Sequence, residues 1–174
     1  MAKDGEGICG NLLVVTPGLP IGSLLRRQLA ANPANAPVLA EAGAAIAKLE
    51  AGERVDTATL HPARRPLFHP AVQGFLISQM TLDPAALIAA TRQPTLILQG
   101  LSDLQVERSD AERLQSVRPD ATLMLLPGVT HVLKAPASED YAANIATYTD
   151  PSLPLAPGVV DALVAFVQRH GPQP

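Results

Sequence analysis

The segment from Pro94 to Lys134 leaves the chain the fewest alternatives. It holds two short apolar runs, Thr95–Gln99 and Thr122–Leu126, each bounded by Pro or Gly, which is the pattern of buried strands. Between them Ala111, Leu114 and Val117 share one face at helical spacing. Ser109 with Glu112 makes an S-x-x-E capping box, so the spacing predicts a helix over Ser109–Val117. Strand, helix, strand implies parallel strands joined by a right-handed crossover. Each strand runs into a loop with one conspicuous ionisable residue, Asp103 after the first and His131 after the second. In a parallel sheet both loops emerge at the carboxyl edge, where ligand chemistry is usually placed.

The remaining chain reads as one more strand and several helices. Asn11–Thr16 is an unbroken apolar run closed by Pro17-Gly18, as expected of a buried parallel strand. Pro20–Ala31 predicts a helix that ends before Pro33. Val38–Ala51 predicts a second, with Leu39, Ala42, Ile46 and Leu49 recurring and Gly52 as its stop. Glu53–Pro70 reads as irregular, because Pro62, Pro66 and Pro70 exclude a long helix. Ala71–Met80 predicts a third helix with Val72, Phe75, Leu76 and Met80 on one side. Asp83-Pro84 supplies an N-cap and a first helical position for a short helix to about Ala90. Glu139–Ala146 reads as a short helix and Asp150–Pro157 as extended chain. Pro157–His170 closes as an amphipathic helix with Val160, Leu163, Val164 and Val167 as its apolar face. Glu107, Arg108, Asp110, Glu112 and Arg113 read as a solvated helix face. The fold class is α/β.

Pro94-Thr-Leu-Ile-Leu-Gln-Gly100, Asp103, Gln105-Val106, Gly128 and His131 together resemble the last catalytic section of the α/β-hydrolase family. In that family the triad runs nucleophile, acid, base along the chain. The resemblance therefore implies Asp103 as the acid and His131 as the base. It implies a partial α/β-hydrolase of about three parallel strands (12–16, 95–99 and 122–126) with flanking helices and a helical cap. Residues 1–19 would hold a polar tail and the first core strand, 20–91 the cap-like region, and 92–174 the C-terminal core section. The stretch Pro66–Leu76 would line the cap, which would shape the acyl pocket. The family often carries Asn before the base, where this chain has Thr130. The implied reaction is hydrolysis of a carboxylic ester or similar acyl bond in a small-molecule substrate, with no cofactor and no metal.

What the resemblance lacks is a nucleophile. An elbow of the form G-x-S-x-G needs small residues on a tight strand-to-helix turn. Ser102 follows a strand, but Leu104 stands where the second Gly belongs and the predicted helix starts only at Ser109. Cys9, in Gly7-Ile-Cys-Gly-Asn11, is followed by a strand instead of a helix. Ser78 lies inside a cap helix, away from backbone oxyanion donors. The oxyanion hole is also missing, since its donors come from the nucleophile turn and an early loop. His61 and His69 read as loop or pocket-lining residues, with no carboxylate or Cys at metal-ligand spacing. His170 reads as exposed at a helix C-terminus, where a cation suits the dipole. The chain is thus expected to be inactive alone. A non-catalytic or partner-completed α/β module is the second reading, and a small hydrolase using Cys9 a third.

Composition narrows the rest. With 47% hydrophobic residues but only 3% aromatic, the core must be aliphatic. A net charge of −3 with scattered Lys and Arg argues against a nucleic-acid face. The single cysteine excludes an internal disulfide and a multi-cysteine metal site. No stretch approaches a membrane span, and Met1–Gly7 has no apolar signal region, so a cytoplasmic location is expected.

The strand Leu12–Thr16 generates a prediction. With only later strands to pair with, one of its edges should be open, and no charge within the run protects it. The polar segment Met1–Gly7 has little to bury over that edge. The chain should associate through the edge, as a homo-oligomer or with an N-terminal half, or be poorly soluble. Light scattering should show association that Val14→Lys removes. A monodisperse monomer with amides protected on both sides of this strand would refute the edge assignment.

Overall fold

The computed structural model describes residues 7–171. The polar tail, residues 1–6, lies outside them, and with it any covering of the strand edge. The elements in chain order are β1 (Asn11–Val14), α1 (Ile21–Ala31), α2 (Leu39–Glu50), α3 (Pro70–Met80), α4 (Pro84–Ala89), β2 (Thr95–Gly100), α5 (Arg108–Val117), β3 (Thr122–Leu126), α6 (Tyr141–Ala146) and α7 (Val159–His170). Short 3-10 segments occupy Pro33–Val38, Thr57–Thr59 and Pro62–Arg64. No helix among the described residues is long and apolar enough to cross a membrane. The chain divides into two units, one of Met1–Gly18 with Ala85–Pro174, the other of Leu19–Pro84.

The first unit is a small α/β fold around one parallel three-stranded sheet, ordered β1-β2-β3. Leu13 pairs with Ile97, and Leu98 with Met124. Every residue of β2 is buried, because it alone has a neighbour on each side. β1 and β3 have one neighbour each and are only partly buried, with Leu12 exposed. The expectation of fully buried outer strands is thereby corrected: apolar side chains allow burial, and neighbours decide it. β1 also ends at Val14, short of Thr16, because Val15 turns the chain with φ 44. That value is a true outlier for a β-branched residue.

α5 packs on this sheet through Ala111 and Leu114, which join Ile88, Ile97 and Ala121 in an aliphatic core. Val117, expected on the same face, is exposed. The capping box lies two residues earlier than the sequence suggests. Glu107 is the N-cap, and its N–H donates to Asp110 Oδ2 at 2.9 Å. Asp110 is not on a solvated face. It is 1% exposed, and its Oδ1 accepts the Gly18 N–H at 3.0 Å. Arg113 donates Nε–H to the Gly18 carbonyl at 2.9 Å. Gly18 is required here, since a Cβ would sit 2.3 Å from the Asp110 carbonyl oxygen. Arg108 and Glu112 do lie on the expected solvated face, where they form an exposed ion pair one helical turn apart.

The face of α7 is a second correction. Val159, Ala162 and Phe166 are buried; of the expected face Leu163 packs inward, whereas Val160, Val164 and Val167 are about half exposed. The apolar arc of this helix is broader than one packing face, so spacing alone could not choose. Gly10 makes the choice possible: with no Cβ, it leaves room for the Phe166 ring, whose Cε1 would lie 2.8 Å from one. The His170 ring lies tilted against Phe166, at 4.7 Å between ring centroids, and is partly buried, not exposed.

The second unit holds α1, α2 and α3 around Leu29, Ile46, Leu49, Val55, Phe68 and Met80. Arg26 on α1 bonds both carboxylate oxygens of Glu50 on α2 at 2.7 Å, which holds that carboxyl below its ordinary range. The face expected on α3 is buried only in part: Met80 is buried and Leu76 packs on the core, but the other two residues turn outward. Phe75 is 65% exposed and Val72 is exposed, while Gln73 is 1% exposed. Gln73 accepts the Val55 N–H and donates to the Val55 and Phe68 carbonyls. Buried backbone groups outside regular structure need partners, and meeting that need outweighs the apolar pattern. His61 and His69 each precede Pro-Ala and cap the next segment, their Nδ1 accepting from Ala63 and Ala71 N–H.

Arg118, buried at the end of α5, donates to the Thr91 and Gln93 carbonyls and to both oxygens of Asp120. The Arg118 hydrogen bonds hold the Asp120 carboxyl down at about 2, against an ordinary 3.8. Since the folded value is the lower one, this contribution to stability is present above about pH 4 and fades as pH falls toward about 2. A carboxyl-carbon NMR titration should give Asp120 a midpoint near the lower value, and Asp120→Asn should destabilise the fold at neutral pH but not at the acid end.

Candidate acid–base site

The site forms where the loops after β2 and β3 extend the sheet beyond its ladder. Leu101 N–H donates to the Leu126 carbonyl at 2.9 Å and Ser102 N–H to the Val129 carbonyl at 3.0 Å. Gly100 permits this approach, because a Cβ there would lie 2.2 Å from the Val129 oxygen. Both loops leave the carboxyl ends of parallel strands, so their ionisable residues arrive at one edge.

Asp103 is held from two directions. Its Oδ1 accepts the N–H groups of Gln105 at 2.7 Å and Val106 at 3.0 Å, closing a turn on its own backbone. Its Oδ2 faces His131 Nδ1 at 2.9 Å. The Asp103 side chain is 0% exposed and that of His131 27%. A buried carboxylate can only accept, so the proton of the neutral imidazole belongs on Nδ1. Nε2 then carries the free lone pair and makes no hydrogen bond among the described residues.

The His131 loop is closed on itself. Thr130 is fully buried, and its N–H and Oγ1–H both donate to the Lys134 carbonyl at 3.0 Å. Leu133 takes φ 61, and its N–H returns to the Thr130 carbonyl. Lys134 Nζ reaches the Thr147 and Asp150 carbonyls beyond α6. Thr130 Oγ1 also lies 3.3 Å from Thr147 Oγ1. A small hydroxyl at position 130 therefore has its own structural use. α6 braces the acid loop as well. Asn144 Nδ2 donates to the Ser102 carbonyl at 2.6 Å, and Gln105 Nε2 to the Tyr148 hydroxyl at 2.9 Å. Burial pushes that hydroxyl above its ordinary range, against the pull of the Gln105 bond.

The other candidates do not join the pair. Cys9 is exposed just before β1, at the amino edge of the sheet. At about 3.3 Å per residue, that lies on the order of 20 Å along the strand direction from Asp103 and His131. Ser102 shares the Asp103 loop, and no helix starts there before Arg108. Ser78 donates to the Phe75 carbonyl within α3. His61 and His69 are occupied as caps in the helical unit. Sequence reasoning missed Gln99, Lys134 and Asn144, and named Thr130 without its hydrogen bonds. Only the polar Gln at the end of an otherwise apolar strand offered a signal. No family model and no curated protein matches the chain.

Lys134→Met should loosen the His131 loop while leaving the sheet intact. Losing a charge-assisted bond costs about 1.5 kcal/mol, or about tenfold in local opening. Amide exchange at Thr130 and Leu133 should accelerate by that factor, with β2 amides unchanged. Unchanged exchange at Thr130 would show that Lys134 does not hold the loop.

Proposed function

We propose that the chain is the C-terminal part of a serine-type α/β-hydrolase acting on carboxylic esters or similar acyl bonds. Asp103 is its acid and His131 its base. The observation that carries this reading is the buried Asp103 carboxylate 2.9 Å from His131 Nδ1 at the carboxyl edge of a parallel sheet, with Nε2 free. In this role Nε2 takes a proton from a hydroxyl nucleophile, Asp103 stabilises the imidazolium, and the proton passes to the leaving group. The helical unit Leu19–Pro84 would be the cap. Its insertion between two strands of one sheet supports that assignment. The nucleophile and oxyanion donors would come from a segment outside this sequence, pairing with the open edge of β1. Cys9, at the opposite edge, does not supply the nucleophile.

The isolated chain should show negligible turnover of short p-nitrophenyl esters. Robust turnover lost in His131→Ala would show that a nucleophile lies within these residues after all. The stronger test reads the DNA upstream of Met1 for a G-x-S-x-G strand–turn–helix. Its product, mixed with this chain, should hydrolyse such esters, and His131→Ala should cost on the order of 10³-fold or more. If no such segment is encoded there, a non-catalytic α/β module becomes the better reading.

A further inference from the structure

Gln99, the penultimate residue of β2, is 1% exposed, and its amide lies inside the loop that carries Asp103. Nε2 is 2.9 Å from the Gly100 carbonyl, 2.9 Å from the Val106 carbonyl and 3.3 Å from Asp103 Oδ2. It thus touches the start, the end and the carboxylate of the loop. All three neighbours are acceptors, so the amide cannot flip without setting its own oxygen against them. Its Oε1, meanwhile, is buried with no partner among the described residues. A buried carbonyl left unpaired is unfavourable, and a residue chosen only to fill space in β2 would not carry one.

We propose that Gln99 is a positioning residue for the Asp103–His131 pair. Its amide holds Asp103 Oδ2, the oxygen that faces His131 Nδ1, while the backbone N–H groups of Gln105 and Val106 hold Oδ1. Together these bonds fix the carboxylate plane and hence the tautomer that leaves Nε2 free. Gln99 acts through Asp103 and touches no substrate. The proposal rests on the acid–base reading of the pair, and the experiment separates the two.

The readout is the ¹⁵N tautomer signature of His131 in the full chain, together with the downfield Nδ1–H proton. In the parent protein the neutral ring should be Nδ1-protonated, and the downfield proton should be visible. Gln99→Met keeps the side-chain length and removes the donors. Gln99→Asn keeps an amide but withdraws it from Asp103. In both, the tautomer should become mixed and the downfield proton should be lost, with β2 amides still protected. Asp103→Asn should abolish the signature outright. A folded Gln99 variant that keeps the parent signature, while Asp103→Asn loses it, overturns the proposal and leaves the pair intact. A signature that survives Asp103→Asn overturns the pairing itself, and the proposal with it. If neither Gln99 variant folds, the amide serves the loop's stability instead, and the proposal is likewise overturned.

Discussion

The sheet-bearing unit depends on β2 having a strand on each side. That placement buries all six of its residues and aligns β3 in parallel register with it. Parallel register sends both following loops to the same edge. Once there, the loops bond to each other through Leu101 and Ser102, and a glycine at position 100 lets them approach. The Asp103–His131 contact is a late consequence of this geometry. It needs the ladder, the glycine and the closed Thr130–Lys134 loop before two residues remote in sequence can meet at 2.9 Å.

A second theme is the satisfaction of buried polar groups. Asp110 turns inward because it can take both the Glu107 and the Gly18 N–H groups. Gln73 displaces Phe75 from the core side of α3 because the backbone of Val55 needs partners where no strand or helix provides them. In both cases hydrophobicity alone points the wrong way. An aromatic ring left in solvent forgoes some favourable burial, whereas a buried N–H or C=O without a partner bears the full desolvation penalty of that group. The same reasoning gives Gln99 its interest, since the two N–H groups of its amide are shared among three acceptors while its own oxygen is left unserved.

The corrections share a cause. Apolar spacing identifies α3, α5 and α7 as helices, and their ends fall within a residue or two of the expected ones. It does not identify which part of a broad apolar arc faces inward. On α7 that depends on Gly10, far away in the chain, which leaves space for Phe166. On β1 it depends on the number of neighbouring strands. Neither neighbour is visible from within the element.

Sequence alone determined the class of the chain and the order of its elements, because period, length, Pro, Gly and caps are local signals read within one turn or one strand. It also placed Asp103 and His131 after successive strands, and parallel connection then required them to share an edge. Tertiary structure alone decided which faces are buried, which oxygen of Asp103 meets which nitrogen of His131, and that Gln99 stands behind the carboxylate. Those outcomes depend on differences of a few tenths of an ångström in the separation of groups far apart in the chain. Hydrogen bonds and close packing are sensitive at that scale, and residue spacing is not.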